Sequence, residues 1–287
     1  MKTISLISIL FCCWACQKTV NPPPEEIPAS AVSLVFHLPE EIDESSGLVV
    51  YHERLLTHND SGDLPYLYQV NLTDGSLENI FFIENTIHRD WEGMTQNESH
   101  IFVGDFGNNS GLRTDLVIYQ LDKSDLTLVD SIPFSLAHQL DVDADFEMHN
   151  FNMEAMITTE ENLFLFSKNH ANQQTDLYAI DLQHPASMDS LHIIQSFDTQ
   201  GLVTDAAYWA ANKTLVLLGY TNTFVFEPFV WIISDFEAPN FFSGTIQKID
   251  LGVNEQVEGI TFLDETTLLI SSEKEQDEGG KVFRLDL

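Results

Sequence analysis

The stretch NFNMEAMITTEENLFLFSKNH, residues 150–170, runs from an acidic residue to a small one, an apolar run, a polar turn, and a second apolar run with a polar end. Four other segments repeat the phrase: ESSGLVVYHERLLTHND from Glu44, DWEGMTQNESHIFVGDF from Asp90, VTDAAYWAANKTLVLLGY from Val203 and QVEGITFLDETTLLISSE from Gln256. The residues just before the small one are Ser46, Glu92, Glu154, Asp205 and Glu258, separated by 46, 62, 51 and 53 residues. Self-similarity at that period marks an array of structural repeats, and the spacing suits propeller blades.

Around these segments the chain reads as short β-type runs separated by Gly, Asn, Asp, Ser and Pro, with no helical periodicity. Two more runs follow each of the first four repeats, such as YLYQVNL and LENIFFI after the first, or DLYAIDL and SLHIIQSF after the third. The fifth repeat has only KVFRLDL before the chain ends. Its missing outer strand can come from VSLVFHL at 32–38, which would close the ring and remove the exposed edges of an open array. The expected fold is all-β: a five-bladed β-propeller with four antiparallel strands per blade, closed by the strand at 32–38.

The 287 residues include 12 Lys+Arg against 45 Asp+Glu, a formal charge of −33, with 44% hydrophobic and 11% aromatic residues. That is a packed domain with an acidic surface. Such a surface repels nucleic acid and anionic membranes and favours small cations. All three cysteines, Cys12, Cys13 and Cys16, fall in the opening MKTISLISILFCCWAC, whose apolar run is too short to span a membrane. This start resembles a bacterial lipoprotein signal, which implies cleavage before Cys16 and lipidation of that cysteine. The alternative is an ordinary signal peptide cut slightly later. The expected organisation is a signal over 1–15, a Pro-rich tether over 16–30 and the propeller over 31–287. The protein would then sit in the cell envelope, at the outer membrane or facing the periplasm, held only by its lipid, or else be secreted.

In a propeller the innermost strands start on one face beside the axis, so Ser46, Glu92, Glu154, Asp205 and Glu258 are expected to form a ring. Carboxylates crowded together repel one another and require raised pKa values or a cation. An oxygen-only ligand set without His or Cys suits Ca²⁺ better than Mg²⁺. The alternative role for each acid is to accept backbone N–H bonds at a strand start. One oxygen ligand per blade around an axial ion resembles the calcium-activated nucleotidases (apyrases), and MEAM and VEGI fit their acid–small–apolar steps. THNDSG, DWEGM, GDFGNN and VEGI also resemble a group of bacterial secreted or lipid-anchored propellers, loosely related to phytase-like esterase and NHL-type propellers. Both resemblances imply a propeller, and the first implies axial calcium. Polyphosphate substrates need cationic clamps, however, and few cations lie near the tips: Arg89, Arg113, Lys168 and Lys274.

The loops between second and third strands should surround a mouth above the ring. Most of their Asp, Asn and Gly is what tight turns require. Turns do not call for His or Lys, so His58, Asp60, Asp105, Lys168, His170 and Lys274 are the candidate pocket-rim residues. A His near a carboxylate could act as a general base on a metal-polarised substrate. No G-x-S-x-G, zinc cluster, P-loop or dinucleotide fingerprint is present. Two functions follow as expectations. One is an envelope lipoprotein whose calcium-stabilised propeller binds a small-molecule or protein ligand at its loop-rich face. The other is a calcium-dependent hydrolase of a phosphate ester, nucleotide or lactone. Calcium with a purely structural role in an interaction scaffold is a third.

Overall fold

The computed structural model describes residues 32–139, 148–183, 189–222, 224–275 and 279–287. The expected signal segment, Cys16 and the tether lie outside these residues. Among the described residues no helix is long and apolar enough to cross a membrane, and the only helical element is a 3-10 turn at Phe241–Ser243.

The described residues form five sheets. Blade one is β2 (Ser45–Tyr51), β3 (Arg54–Asn59), β4 (Tyr66–Asn71) and β5 (Leu77–Phe82). Blade two is β6 (Trp91–Gln96), β7 (His100–Asp105), β8 (Leu116–Asp122) and β9 (Leu128–Leu136). Blade three is β10 (Asn152–Thr158), β11 (Asn162–Lys168), β12 (Thr175–Asp181) and β14 (Gln195–Phe197). Blade four is β15 (Leu202–Trp209), β16 (Thr214–Asn222), β17 (Phe226–Ser234) and β18 (Thr245–Asp250). Blade five is β19 (Val257–Asp264), β20 (Thr267–Ser272) and β21 (Lys281–Asp286), completed by β1 (Val32–His37). The closure expected from the sequence is therefore formed, with Val32 opposite Leu285 and His37 opposite Lys281.

One strand departs from the four-strand pattern. The run SLHIIQSF divides in two: β14 finishes blade three, while β13 (Asp189–Leu191) leaves it and pairs parallel to β9 at the edge of blade two. Leu191 stands opposite Leu136 and joins the apolar core between these blades.

Each blade buries both faces against its neighbours, so the middle strands read as nearly continuous apolar runs rather than alternating ones. In β11 every residue after Asn162 is buried. The core accordingly divides into five clusters, one per blade–blade interface. Phe102, Phe106 and Phe134 of blade two meet Met153, Met156 and Tyr178 of blade three. Leu269 and Val282 of blade five, with Phe36 of β1, meet Leu48, Leu55 and Val70 of blade one. The outer strands carry much of what remains exposed, as in β5 and β1, whereas the polar ends of the second strands β3, β7 and β11 are buried.

At the axis the inner strands approach backbone to backbone. A Cβ on Gly93 would lie 2.7 Å from the Glu154 carbonyl oxygen, and one on Gly47 would lie 2.8 Å from the Met94 nitrogen. Gly47 and Gly93 are therefore conditions for closing the ring. Gly47 also adopts φ +66°, in the left-handed region that glycine alone enters freely.

Candidate functional site

Every inner strand carries a β-bulge at the repeated acid step. The ladder slips between Ser46 and Leu48, Trp91 and Met94, Met153 and Ala155, Val203 and Asp205, and Val257 and Gly259. A bulge leaves a residue unpaired and re-aims its side chain. In blades three and five the unpaired residues are Glu154 and Glu258, and Glu92 lies in the longer slip of blade two. In blade four it is Thr204, while Asp205 is paired opposite Leu218.

These residues open into a cavity of ≈ 370 Å³ on the axis, lined by Ser46, Glu92, Glu154 and Glu258 together with Asp60, Asn109, Lys168, His170, Leu202, Tyr220, Gln256 and Glu273. Four of the five expected ring residues are thus brought together. Asp205 is not among them: it is fully buried one position further along, where its Oδ2 accepts the Ile260 N–H of blade five at 2.8 Å. That is the strand-start acceptor role, and its physical reason is the bulge falling on Thr204.

Within the cavity Ser46 Oγ donates to Glu92 Oε2 at 3.0 Å. Asn152 Nδ2 donates to Glu154 Oε1. Tyr220 OH and Gln256 Nε2 donate to Glu258 Oε1 at 3.3 and 3.1 Å, and the same Gln256 nitrogen reaches Glu273 Oε1 at 2.8 Å. Glu258 Oε2 has no hydrogen-bond partner among the described residues, although Glu258 is only 4% exposed. On the blade-two side Asp60, Asp90 and Glu92 each bring one carboxylate oxygen within 4.8 Å of the other two. A Cβ on Gly107 would lie 2.4 Å from Asp90 Cγ and 2.7 Å from Glu92 Oε1, so that glycine makes room for both carboxyl groups.

Burial raises the carboxyl groups that line the cavity, and acidic neighbours add to it for Asp60, Glu92, Glu154 and Glu273. Asp60 is pushed up to about 10 by burial, its hydrogen bond to Asp90 and the Asp90 charge. Burial, then the Glu154, Asp60 and Asp90 charges, hold Glu92 well above the usual range. Burial lifts Glu154 to about 8 despite the nearby Lys168 ammonium, and burial with the Glu258 charge lifts Glu273 to about 8. Glu258 is raised by burial against the pull of Lys168. Such a set holds protons or a cation at neutral pH.

The six rim candidates separate. Asp60, Lys168 and His170 line the cavity itself. Lys168 is not at a solvated rim but 7% exposed inside, with Nζ 3.4 Å from Glu154 Oε2 and 3.8 Å from Glu258 Oε1. His170 lies beside His149, ring centroids 5.8 Å apart, and burial, then Lys168 and His149, lower it to about 4. His58 is wholly buried, edge-on to Trp91 at 5.5 Å, and burial lowers it to about 3, so it stays neutral in the wall rather than serving at the rim. Asp105 is also buried, accepting the Asp90 N–H at 3.1 Å and a 3.0 Å ion pair from Arg113. Lys274 is exposed, does not line the cavity, and uses its backbone N–H on the Asp43 carbonyl. Sequence reasoning passed over Asp90, Asn109, Tyr220, Gln256 and Glu273. Asp90 stood in the quoted DWEGM phrase, and Tyr220 holds the register in blade four (opposite Leu202) that Lys168 holds in blade three (opposite Asn152).

The fold and the cavity define a five-bladed β-propeller with a buried acidic site on its axis. No family model matches the chain, and no curated protein matches it. Among solved structures it is similar to the PQQ-bound aldose sugar dehydrogenase of Streptomyces coelicolor, with a TM-score of 0.51 and 9% identity over 90% of this chain and 99% of that one. It is similar to an exo-β-1,3-galactanase of Phanerochaete chrysosporium solved with β-1,3-galactotriose, with a TM-score of 0.56 and 10% identity over 89% of this chain and 64% of that one. The Dos1 propeller gives a TM-score of 0.42 at 9% identity over 85% and 70% of the two chains. At these identities the likeness to the dehydrogenase and the galactanase is one of fold.

Proposed function

We propose that the protein is a cell-envelope propeller, anchored through Cys16, whose axial cavity holds a divalent cation, calcium foremost, and receives a ligand at the loop-lined mouth above it. The observation that carries this reading is the balance of the cavity: five carboxyl groups, Asp60, Glu92, Glu154, Glu258 and Glu273, against one ammonium, with oxygens of Asp60 and Glu92 converging on one of Asp90 within 4.8 Å. Oxygen-only ligands in a flexible number suit calcium. Because binding to the folded state alone stabilises it, removing cations with EDTA is expected to lower the melting temperature, and calcium to restore it more fully than magnesium. Glu92→Gln is expected to reduce the calcium shift. A melting temperature indifferent to EDTA, calcium and magnesium would end the proposal.

A hydrolytic role is the second reading, favoured by Glu154. A carboxyl pushed up to about 8 keeps its proton at neutral pH and could deliver it to a leaving group. A screen of phosphate, nucleotide and lactone esters with and without calcium tests it. Turnover that survives Glu154→Gln would remove that residue from the role.

A further inference from the structure

The ring of inward acids is interrupted in blade four. Thr204 occupies the bulge position that holds Glu154 and Glu258 in the blades on either side, and its Oγ1 donates to the Val257 carbonyl oxygen at 2.8 Å instead of offering a carboxylate. A cation from blade three reaches across this gap. Lys168 is the last residue of β11, and its Nζ stands between Glu154 Oε2 at 3.4 Å and Glu258 Oε1 at 3.8 Å, with the Tyr220 ring of blade four 5.4 Å away. A lysine at a strand end ordinarily extends its ammonium into water. This one is held inside, next to two acids that a metal ion would otherwise be expected to join.

We infer that Lys168 is a resident cation standing in for a metal ion between blades three and five, and that removing its charge opens a second divalent-cation site formed by Glu154, Glu258 and Glu273. The inference rests on reading the cavity as a cation site, and it fixes the selectivity of that site. Glu258 Oε2 already lacks a partner there, and Gln256 ties the Glu258 and Glu273 carboxyl groups together. A carboxylate oxygen in such a place has lone pairs to give. With Lys168 present, the native divalent ion is left to the Asp60, Asp90 and Glu92 side of the cavity, away from the two acids that Lys168 pairs with, Glu154 and Glu258. A compact single positive charge thus sets how many divalent ions the protein takes.

Calorimetric titration of the full-length chain with calcium chloride decides the matter. The wild type is expected to take one ion. Lys168→Met is expected to take a second, and tighter binding of a single ion without a second would overturn the inference. Lys168→Arg, which keeps the charge, should match the wild type, and the double variant Lys168→Met with Glu258→Gln should lose the gain. Should Lys168→Met unfold in EDTA, calcium is expected to refold it. Wild-type binding with an unchanged Lys168→Met would overturn this inference and leave the proposed function standing, as would a Lys168→Met protein that stays unfolded in saturating calcium. No binding by the wild type but binding by Lys168→Met would do the reverse.

Discussion

Asp205 holds the Ile260 N–H with one carboxylate oxygen and leaves the other without a partner among the described residues. Its contribution is to join the inner strands of blades four and five. Asp205→Ala is therefore expected to cost about 1–3 kcal/mol, the price of a buried donor left unpaired, without changing the calcium-dependent shift in melting. Loss of that shift would return Asp205 to the cation site. The pattern VTDAA could not show this, because the slip of one residue that puts Thr204 at the bulge is decided by ladder pairing and not by composition. Glu92, Glu154 and Glu258 were legible because in those blades the acid immediately precedes the small residue and the bulge falls on it. Lys168 was legible as unusual but not as internal: turn-like neighbours hide the fact that β11 runs on as far as the lysine. His58 misled for a similar reason, since HND reads as a loop while His58 and Asn59 still belong to β3.

Strand β13 shows what three residues can do when a neighbouring edge is available. By pairing with β9 it covers the outer edge of blade two, the exposed ladder that sheets otherwise protect with charge or bulges. It also inserts Leu191, 7% exposed, into the cluster holding Phe134, Leu136 and Tyr178. Leu191→Ala is expected to lower stability in urea unfolding by about 2–4 kcal/mol, as for other buried leucines. A change under about 0.5 kcal/mol, typical of surface positions, would make the strand peripheral. Nothing in SLHIIQSF separates two short strands bound for different blades, because their partners lie far off in sequence. The repeats themselves were plain, since each blade must rebuild the same inner strand, bulge and second strand to meet the axis. Blade number and the closure by β1 followed from that alone.

At the scale of the whole molecule the cavity couples stability to pH. Glu154 and Glu273 titrate near 8 and Asp60 near 10 in the folded protein, whereas unfolded carboxyl groups titrate near 4. Above about pH 5 the folded state thus retains protons that the unfolded state has released, and stability must fall as pH rises. In EDTA the melting temperature is expected to decline from about pH 5 through pH 8, and saturating calcium should flatten that slope by replacing the protons. A melting temperature that climbs across this window without cations would contradict the raised carboxyl groups. The pairing of β1 with β21 has a different kind of consequence, one of time. Val32–His37 leaves the ribosome before any blade exists, yet its partner Lys281–Asp286 is the last described strand to be made. Until then β1 and its exposed Leu34 and Val35 have nothing to pair with. Four blades can assemble behind it during synthesis, but the ring locks only once Lys281–Asp286 is available, and the interval before that is when the chain is most open to mispairing.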